Sequence, residues 1–462
     1  MTAHYPRPVP DLHLTLDVTR RRGLARDLAG QLREAVRDGR LAAGAALPPS
    51  RVLAADLGVS RGVVVEAYAQ LTAEGFLSSA QGSGTRVADV PQRPVAPVPP
   101  TAAPAPAGLN MRVGTPDLTA FPRRQWLTAT RHVLATLPHS AFGYPDPGGV
   151  EPLREVLAGY LRRVRAASVT AADLTVVGGV AHGLSLLMRA LGPRDLAVED
   201  PTSPRQLPLL TSAGARLHPV PVDAEGMDIA ALSRGAATAV LLTPAHQYPT
   251  GVVLSAARRA ALGEWLDRPG AVAVEDDYDA EFRYDRDPVG CLQGLRPDRT
   301  VLIGSVSKAL APGLRLGWIA APPAITAAIR RIRAETDLGS PMLEQHVLAR
   351  LIETGEYDRH VRAMRQRYRS RRDALIAALA RHIPGSRAHG VSAGQHLYVE
   401  LPPGADEAAV VARARELGLD LPGGSEYRLA SRGPAALVIG FAGLSERVLD
   451  DVVARLGQAV TT

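Results

Sequence analysis

The sequence predicts an α/β main domain preceded by a small α+β module, and three observations carry that prediction. From Asn110 onward, short apolar runs alternate with amphipathic stretches, the pattern of strands laid between helices. Before residue 89, two helical patterns joined by a tight glycine turn lead into a short β signal. Between these regions, residues 89–108 hold seven prolines and almost no large apolar side chain, a composition that makes an extended tether and no core. A length of 462 residues also exceeds one ordinary core.

With 46% hydrophobic and 21% charged residues, the composition is that of a soluble globular protein and excludes a disordered or fibrous chain. The single cysteine, Cys291, excludes an internal disulfide framework and fits a reducing, cytoplasmic setting. The opening MTAHYPRPVP has no apolar signal core, and no stretch reaches the length of a membrane span. A net charge of +7 is compatible with a nucleic-acid partner.

Taken in order, Leu24 to Asp38 is amphipathic, with Leu24, Leu28, Leu32, Ala35 and Val36 on one side. Pro48-Pro49 halts the next loop and puts Ser50 in place to cap a helix over Arg51 to Leu57. Gly58-Val59-Ser60 is a tight turn, with Ser60 as N-cap of a helix from Arg61 to about Glu74 that buries Val64, Tyr68 and Leu71. This is a helix-turn-helix arrangement, whose second helix enters the major groove. Phe76 to Ala88, with Gly82-Ser83-Gly84 at the tip, reads as a two-stranded wing. Residues 1–88 carry eleven arginines against eight acids, a net +3, so tight binding calls for two copies.

In the main domain the chemistry centres on Lys308, the sole lysine of the chain. Arginine serves as well in most salt bridges but stays protonated, so only Lys308 supplies a neutral amine able to form a Schiff base. It follows a strand pattern from Thr300 to Gly304, and Arg315, beyond a Pro312-Gly313 turn, offers a fork to a phosphate. The apolar run Ala271 to Val274 breaks into Glu275-Asp276-Asp277-Tyr278, putting acids at the carboxyl end of a strand, where α/β sheets bind ligands. The run from Val176 to His182 reads as strand, glycine turn and helix start, suited to phosphate capture by the N–H groups of Gly179, Val180 and Ala181. Amine, carboxylate, phenol, arginine and helix N-terminus together suit pyridoxal phosphate, whose ring nitrogen needs an acidic partner.

SVSKALAPGLRLGW, VEDDYDAEFRYD and TPAHQYPTG resemble the fold type I, aspartate aminotransferase-like pyridoxal phosphate domain. LPPSRVLAADLGVSRGVVVEAYAQLTAEGFLSSAQGSGTRVA is similar to the winged helix of GntR regulators. Joined, the two resemble the MocR/GabR subfamily of GntR-type transcription regulators, over nearly the whole chain. The resemblance implies a winged helix-turn-helix over 1–88, a linker over 89–108 and a sensor domain over 109–462, with a smaller lobe from roughly 335. Arg51, Ser60 and Arg61, with Gly82, Ser83 and Gly84 of the wing, are implied to meet DNA, mostly at phosphates. Lys308 is implied to carry the cofactor, Asp276 to pair with its ring nitrogen, Tyr278 to bond its phenolic oxygen, and Ser305 and Arg315 to hold its phosphate. Tyr144 is implied to reach the phosphate in the other subunit of a homodimer, whose N-terminal domains are free to cross to the partner. Asp277 is expected only to cap or to face solvent, as are the arginines of a helix over Tyr357 to Leu379.

Three positions depart from the family pattern. Val180 replaces a hydroxyl residue in the phosphate turn, Ser203 in VEDPTSPRQ replaces the aromatic that stacks on the ring, and Tyr248 stands where an asparagine usually meets the phenolic oxygen. Arg205 lies where such regulators place an arginine for an effector carboxylate. No arginine precedes the "F-A" of ALVIGFAG in the aminotransferase register, leaving Arg428 and Arg432 as substitutes between which the sequence does not choose. The leading expectation is a DNA-binding transcription regulator, not a working enzyme, that senses pyridoxal phosphate itself or an amino compound. The alternatives are an aminotransferase with an accessory DNA-binding domain, a half-transamination that stalls, and a pocket that has lost its cofactor.

Overall fold

The computed structural model describes residues 14, 16, 23–80, 84–90, 108–279, 281–285 and 289–461. It divides into two compact units, Met1–Ala105 and Pro106–Thr462. Most of the Pro/Ala-rich tether (91–107), together with Gly82 and Ser83 of the wing, lies outside the described residues.

In the first unit α1 (Leu24–Arg37) and α3 (Arg61–Ala73) pack through the apolar stripes read from their periodicity: Leu28, Leu32, Ala35 and Val36 against Val64, Tyr68 and Leu71, all buried. Between them α2 (Ser50–Asp56) ends at Gly58, whose φ of +66° is a left-handed turn conformation that favours glycine. The Tyr68 hydroxyl donates to the Pro48 carbonyl at 2.9 Å, and Arg33 forks onto Glu74 at 2.7 and 2.8 Å, closing the three-helix core. Strands β1 (Leu77–Ala80) and β2 (Gly84–Val87) pair antiparallel, Leu77 opposite Val87.

The serines correct the sequence reading. Pro49, not Ser50, is the N-cap of α2, because a proline fixed near φ −53° and ψ 141° already supplies the extended residue that precedes a helix. The Ser50 hydroxyl instead accepts from Arg61 Nε at 3.4 Å. Ser60 does precede α3 in extended conformation, but its side chain makes no capping bond.

The second unit starts with β3 (Leu109–Asn110), α4 (Arg123–Thr136) and α5 (Glu151–Arg165). Then β4 (Leu174–Val177), α6 (Val180–Leu191), β5 (Arg194–Asp200), α7 (Leu207–Ser212), β6 (Ala215–Asp223), β7 (Gly226–Met227), α8 (Ile229–Arg234), β8 (Ala239–Leu242), α9 (Ala256–Leu266), β9 (Val272–Asp277), β10 (Thr300–Ser305) and β11 (Gly317–Ala320) build the large lobe. Its sheet runs β4-β11-β10-β9-β8-β5-β6-β7, parallel except for β11 and the edge strand β7. Helices cover both faces, which is why β4, β8 and β10 are buried along their whole length and largely apolar. Alternate residues still part company: Leu196, Val198, Ala239 and Leu241 pack under α6, whereas Ala197, Val240 and Leu242 pack with Leu262 and Trp265 of α9.

After α10 (Pro323–Thr336), α11 (Met342–Glu353) and α12 (Glu356–His382), strands β12 (Arg387–His389), β13 (His396–Glu400) and β15 (Ala436–Gly440) form the antiparallel sheet of the smaller lobe. Helices α13 (Glu407–Glu416) and α14 (Glu446–Thr461) pack there, and β14 (Leu419–Asp420) pairs with β3. Helix α12 is not the solvated helix its arginines suggest. Arg371 is buried, donating to Asp117 Oδ2 at 2.8 Å and to the Ala442 carbonyl, and Arg365 donates to the Glu281 carbonyl. Aliphatic stems cover apolar surface while the guanidinium finds an acceptor, so a charged pattern hides a packing face. Among the described residues no helix is long and apolar enough to cross a membrane.

Candidate functional site: a lysine cavity at the carboxyl ends of the strands

The carboxyl ends of β4, β5, β8, β9 and β10 open on one cavity of about 470 Å³. Its lining includes Val180, Ala181, Ser203, Arg205, Tyr248, Asp276, Tyr278, Ser305, Lys308 and Arg315, so one parallel sheet gathers residues up to 135 positions apart. Lys308 lies just past β10, and its Nζ donates to the Gly114 carbonyl at 2.7 Å while Gln395 holds its own carbonyl at 2.8 Å. Burial pulls the ammonium below its ordinary pKa, outweighing the pull of Asp279 and Asp276 toward the charged form, and nearby Arg205 adds to the lowering.

Asp276 is the penultimate residue of β9 and is buried. Gln206 Nε2 donates to its Oδ2 at 2.8 Å, but Oδ1 is buried with no hydrogen-bond partner. Burial pushes the carboxyl up to about 6. A buried acceptor left open in the wall of a ligand-sized cavity costs stability unless a donor arrives. Glu199, at the end of β5, is fully buried and pushed up to about 7, again by burial, while accepting from the Thr243 hydroxyl at 2.6 Å.

At the α6 N-terminus Gly179 has φ +91°, and a Cβ there would press on the Arg315 guanidinium at 3.0 Å. Arg315 donates to the Gly178 carbonyl, with Ser305, Ser307, Val180 and Ala181 around it. Cationic fork, hydroxyls and a helix N-terminus are the chemistry that suits a phosphate. The residues present thus fit pyridoxal phosphate at three separated points: an amine, an open carboxylate oxygen and an anion cradle. Tyr278 lines the cavity, but its hydroxyl lies 2.9 Å from His246 Nδ1. Tyr248 packs edge-on against Tyr278, Tyr427 and His396, with ring centroids 5.8, 5.6 and 5.2 Å away.

Some expected groups lie elsewhere. Tyr144 is 88% exposed and does not line the cavity of its own chain. Arg428 donates to the Tyr398 hydroxyl and to the carbonyls of Gly433 and Pro434, so it braces its own loop, whereas Arg205 is exposed on the cavity lining. Asp277 neither caps nor meets solvent: it accepts both arms of buried Arg165 at 2.7 and 2.9 Å. Sequence reasoning missed Gln206, the Gly114 carbonyl, Ser307, Arg112 and Glu426; Gln206 sits inside the quoted VEDPTSPRQ, but nothing in that string shows which carboxylate it meets. In the first unit Arg51 is the second residue of α2 and Arg61 opens α3, both exposed, with Ser60 and Gly84 also exposed.

Comparison with known proteins agrees with both halves. The family described as aminotransferase class I and II matches residues 107–456, and that of bacterial regulatory proteins, gntR family, matches residues 24–87. The HTH-type pyridoxine biosynthesis transcriptional regulator PdxR of Corynebacterium glutamicum is 33% identical, covering 98% of this chain and 99% of its own. The probable rhizopine catabolism regulatory protein MocR of Rhizobium meliloti is 30% identical, over 94% of this chain and 93% of its own. Among solved structures, a kynurenine aminotransferase of Pyrococcus horikoshii is 26% identical with a TM-score of 0.71, covering 77% of this chain and 91% of that one.

Proposed function

Since the chain belongs to the MocR-type GntR transcription regulators, a winged helix-turn-helix joined to a class I and II aminotransferase domain, we propose that it reports the supply of pyridoxal phosphate to the genes it controls. It is a DNA-binding regulator, and pyridoxal phosphate is its cofactor. The observation that carries the sensing reading is the cavity itself: a lone lysine whose pKa burial lowers and an open carboxylate oxygen on the same lining, with Ser203 where a stacking ring would tighten the grip. A sensor has to empty as well as fill. The relative named for pyridoxine biosynthesis, alike over its full length, supports the same reading.

When bound, pyridoxal phosphate supplies an aldehyde that a primary amine attacks and a ring that withdraws electrons. The chain's own residues do the rest. Burial lowers the pKa of the Lys308 ammonium, making its proton easier to shed, and the Gly114 carbonyl orients the amine. Asp276 receives a donor on Oδ1 and, once ion-paired, no longer bears the cost of an unmatched buried charge. Arg315, Ser305, Ser307 and the α6 N-terminus neutralise a phosphate. Arg205 stands ready for an effector carboxylate. Occupation shifts DNA affinity only as far as the ligand binds two arrangements of the protein unequally. Arg51, Ser60, Arg61 and the wing residue Gly84 contact DNA, and the protein works as a cytoplasmic homodimer to which each chain contributes Tyr144.

The test is a titration of full-length protein with pyridoxal phosphate, read by absorbance at the visible–ultraviolet border and by operator binding. Wild type gains the band and changes DNA affinity; Lys308→Ala does neither. A mutant that keeps the band ends the lysine assignment, and steady turnover of an amino donor and a keto acid favours an enzyme instead.

A further inference from the structure

We propose that His246 and Asp279 are positioning residues that keep the Tyr278 hydroxyl free to donate into the cavity, an assignment that rests on the cofactor reading above. His246 lies on the loop after β8 and Asp279 two residues past β9, and both are buried. His246 Nδ1 lies 2.9 Å from Asp279 Oδ2 and 2.9 Å from the Tyr278 hydroxyl. One ring nitrogen thus faces two partners, and it carries either a proton or a lone pair.

The two states have opposite consequences. With a proton on Nδ1, His246 donates to the Asp279 carboxylate and Tyr278 keeps its O–H for the cavity. With a lone pair on Nδ1, Tyr278 gives that O–H to the imidazole, and Asp279 loses a donor in a dry site. Hydrogen bonds to an ionised acceptor are roughly twice as strong as neutral ones, so the carboxylate decides the tautomer. Asp279 therefore aims the Tyr278 proton without touching the ligand, as a carboxylate behind a histidine commonly does.

The surroundings hold the ring in place. His246 stacks on Tyr278 at 6.1 Å with planes 28° apart, and any side chain at Gly394 (φ +73°) would collide with the imidazole. His396, 5.3 Å away, is no substitute: its Nε2 pairs with the Pro249 carbonyl at 3.0 Å, and burial pushes it down to about 3, keeping it neutral. The other charged or titratable groups facing this cluster are Asp276, Glu199 and Tyr248 around Tyr278, and Lys308 and Arg205 across the cavity. Arg165 and Arg283 line a small void beside Asp279, their positive charge complementing a carboxylate there.

The experiment follows the pH midpoint of the visible band in full-length protein loaded with pyridoxal phosphate. A donor to the phenolic oxygen stabilises its negative charge and so lowers that midpoint; Tyr278→Phe should raise it by about one pH unit. His246→Phe keeps the ring and the charge on Asp279 but opens that carboxylate to the Tyr278 O–H, so it should raise the midpoint similarly. Added to Tyr278→Phe it should do nothing more. His246→Asn, which retains an N–H in the place of Nδ1, should restore the wild-type midpoint. Nitrogen-15 spectra of ring-labelled wild type, with the His246 signal identified by its loss in His246→Asn, should show the proton on Nδ1, a readout independent of how the Phe variant folds. An unmoved midpoint in His246→Phe, additivity with Tyr278→Phe, or a proton on Nε2 each overturns the assignment while leaving cofactor binding standing. A wild type with no visible band overturns both.

Discussion

At the scale of single residues, burial drives Lys308 and Asp276 the same way, toward the neutral form. Asp276 is raised to about 6 and Glu199 to about 7, each mainly by desolvation. A carboxyl raised by folding contributes stability that is fully present below its unfolded pKa and is lost as pH climbs through the folded one. The cofactor-free protein should therefore lose stability between about pH 4 and pH 7. Asp276→Asn keeps the shape and the bond to Gln206 but removes the charge. Thermal melts should find this variant more stable than wild type at pH 8, by about 1–3 kcal/mol, with the gain gone below about pH 4. The same change should weaken pyridoxal phosphate binding at least about tenfold, since a buried ionic partner for the ring nitrogen is gone. Equal melting at both pH values would show that Asp276 bears no buried charge. Lysine scarcity, the EDDYD string and the Gly-Gly turn made much of this site legible; Gln206 and Gly114 were not, because a glutamine and a carbonyl carry no signature until the fold puts them opposite Asp276 and Lys308.

At the scale of elements, the pair between α5 and β9 shows what a strand-end acid can conceal. Arg165 is 2% exposed and forks onto Asp277, with one arm also on the Val289 carbonyl. Removing only the guanidinium strands a carboxylate in the interior. Arg165→Met should cost about 3–5 kcal/mol in urea unfolding, and Arg165→Met with Asp277→Leu should recover most of it, because a buried pair is worth little over an apolar replacement. If the double variant is no better than the single one, the pair does more than neutralise. Helix α12 teaches a related lesson through Arg371 and Asp117. In both cases the partner lies more than 100 residues away, so periodicity finds the helix but not the acceptor.

At the scale of the whole molecule, the larger unit leaves an apolar surface uncovered. Leu127 and Leu134 of α4 are each 50% exposed, and a little further along the chain Phe142 is 55% and Tyr144 88% exposed. Exposed apolar groups of this kind commonly serve contacts between chains. The homodimer proposed above would cover it and carry Tyr144 to a second cavity. Leu134→Arg should lower the sedimenting mass from two chains to one and weaken cofactor binding at least several-fold; an unchanged dimer would move the interface elsewhere. A net charge of only +3 in residues 1–88 gives pairing a further use, because two weakly basic readers bind DNA far more tightly together than apart.

Sequence alone determined the two-part architecture, the helix-turn-helix stripe, the alternation of strands and helices and the choice of Lys308, Asp276 and Arg315 as candidates, because each follows from local periodicity, turn chemistry or a residue type with no chemical substitute. Tertiary structure decided which groups face each other: Gln206 and an open oxygen on Asp276, Arg165 on Asp277, and His246 between Asp279 and Tyr278. Hydrogen-bond partners and pKa shifts arise from distances across the fold and from exclusion of water. Neither quantity exists until separate strands end at the same cavity.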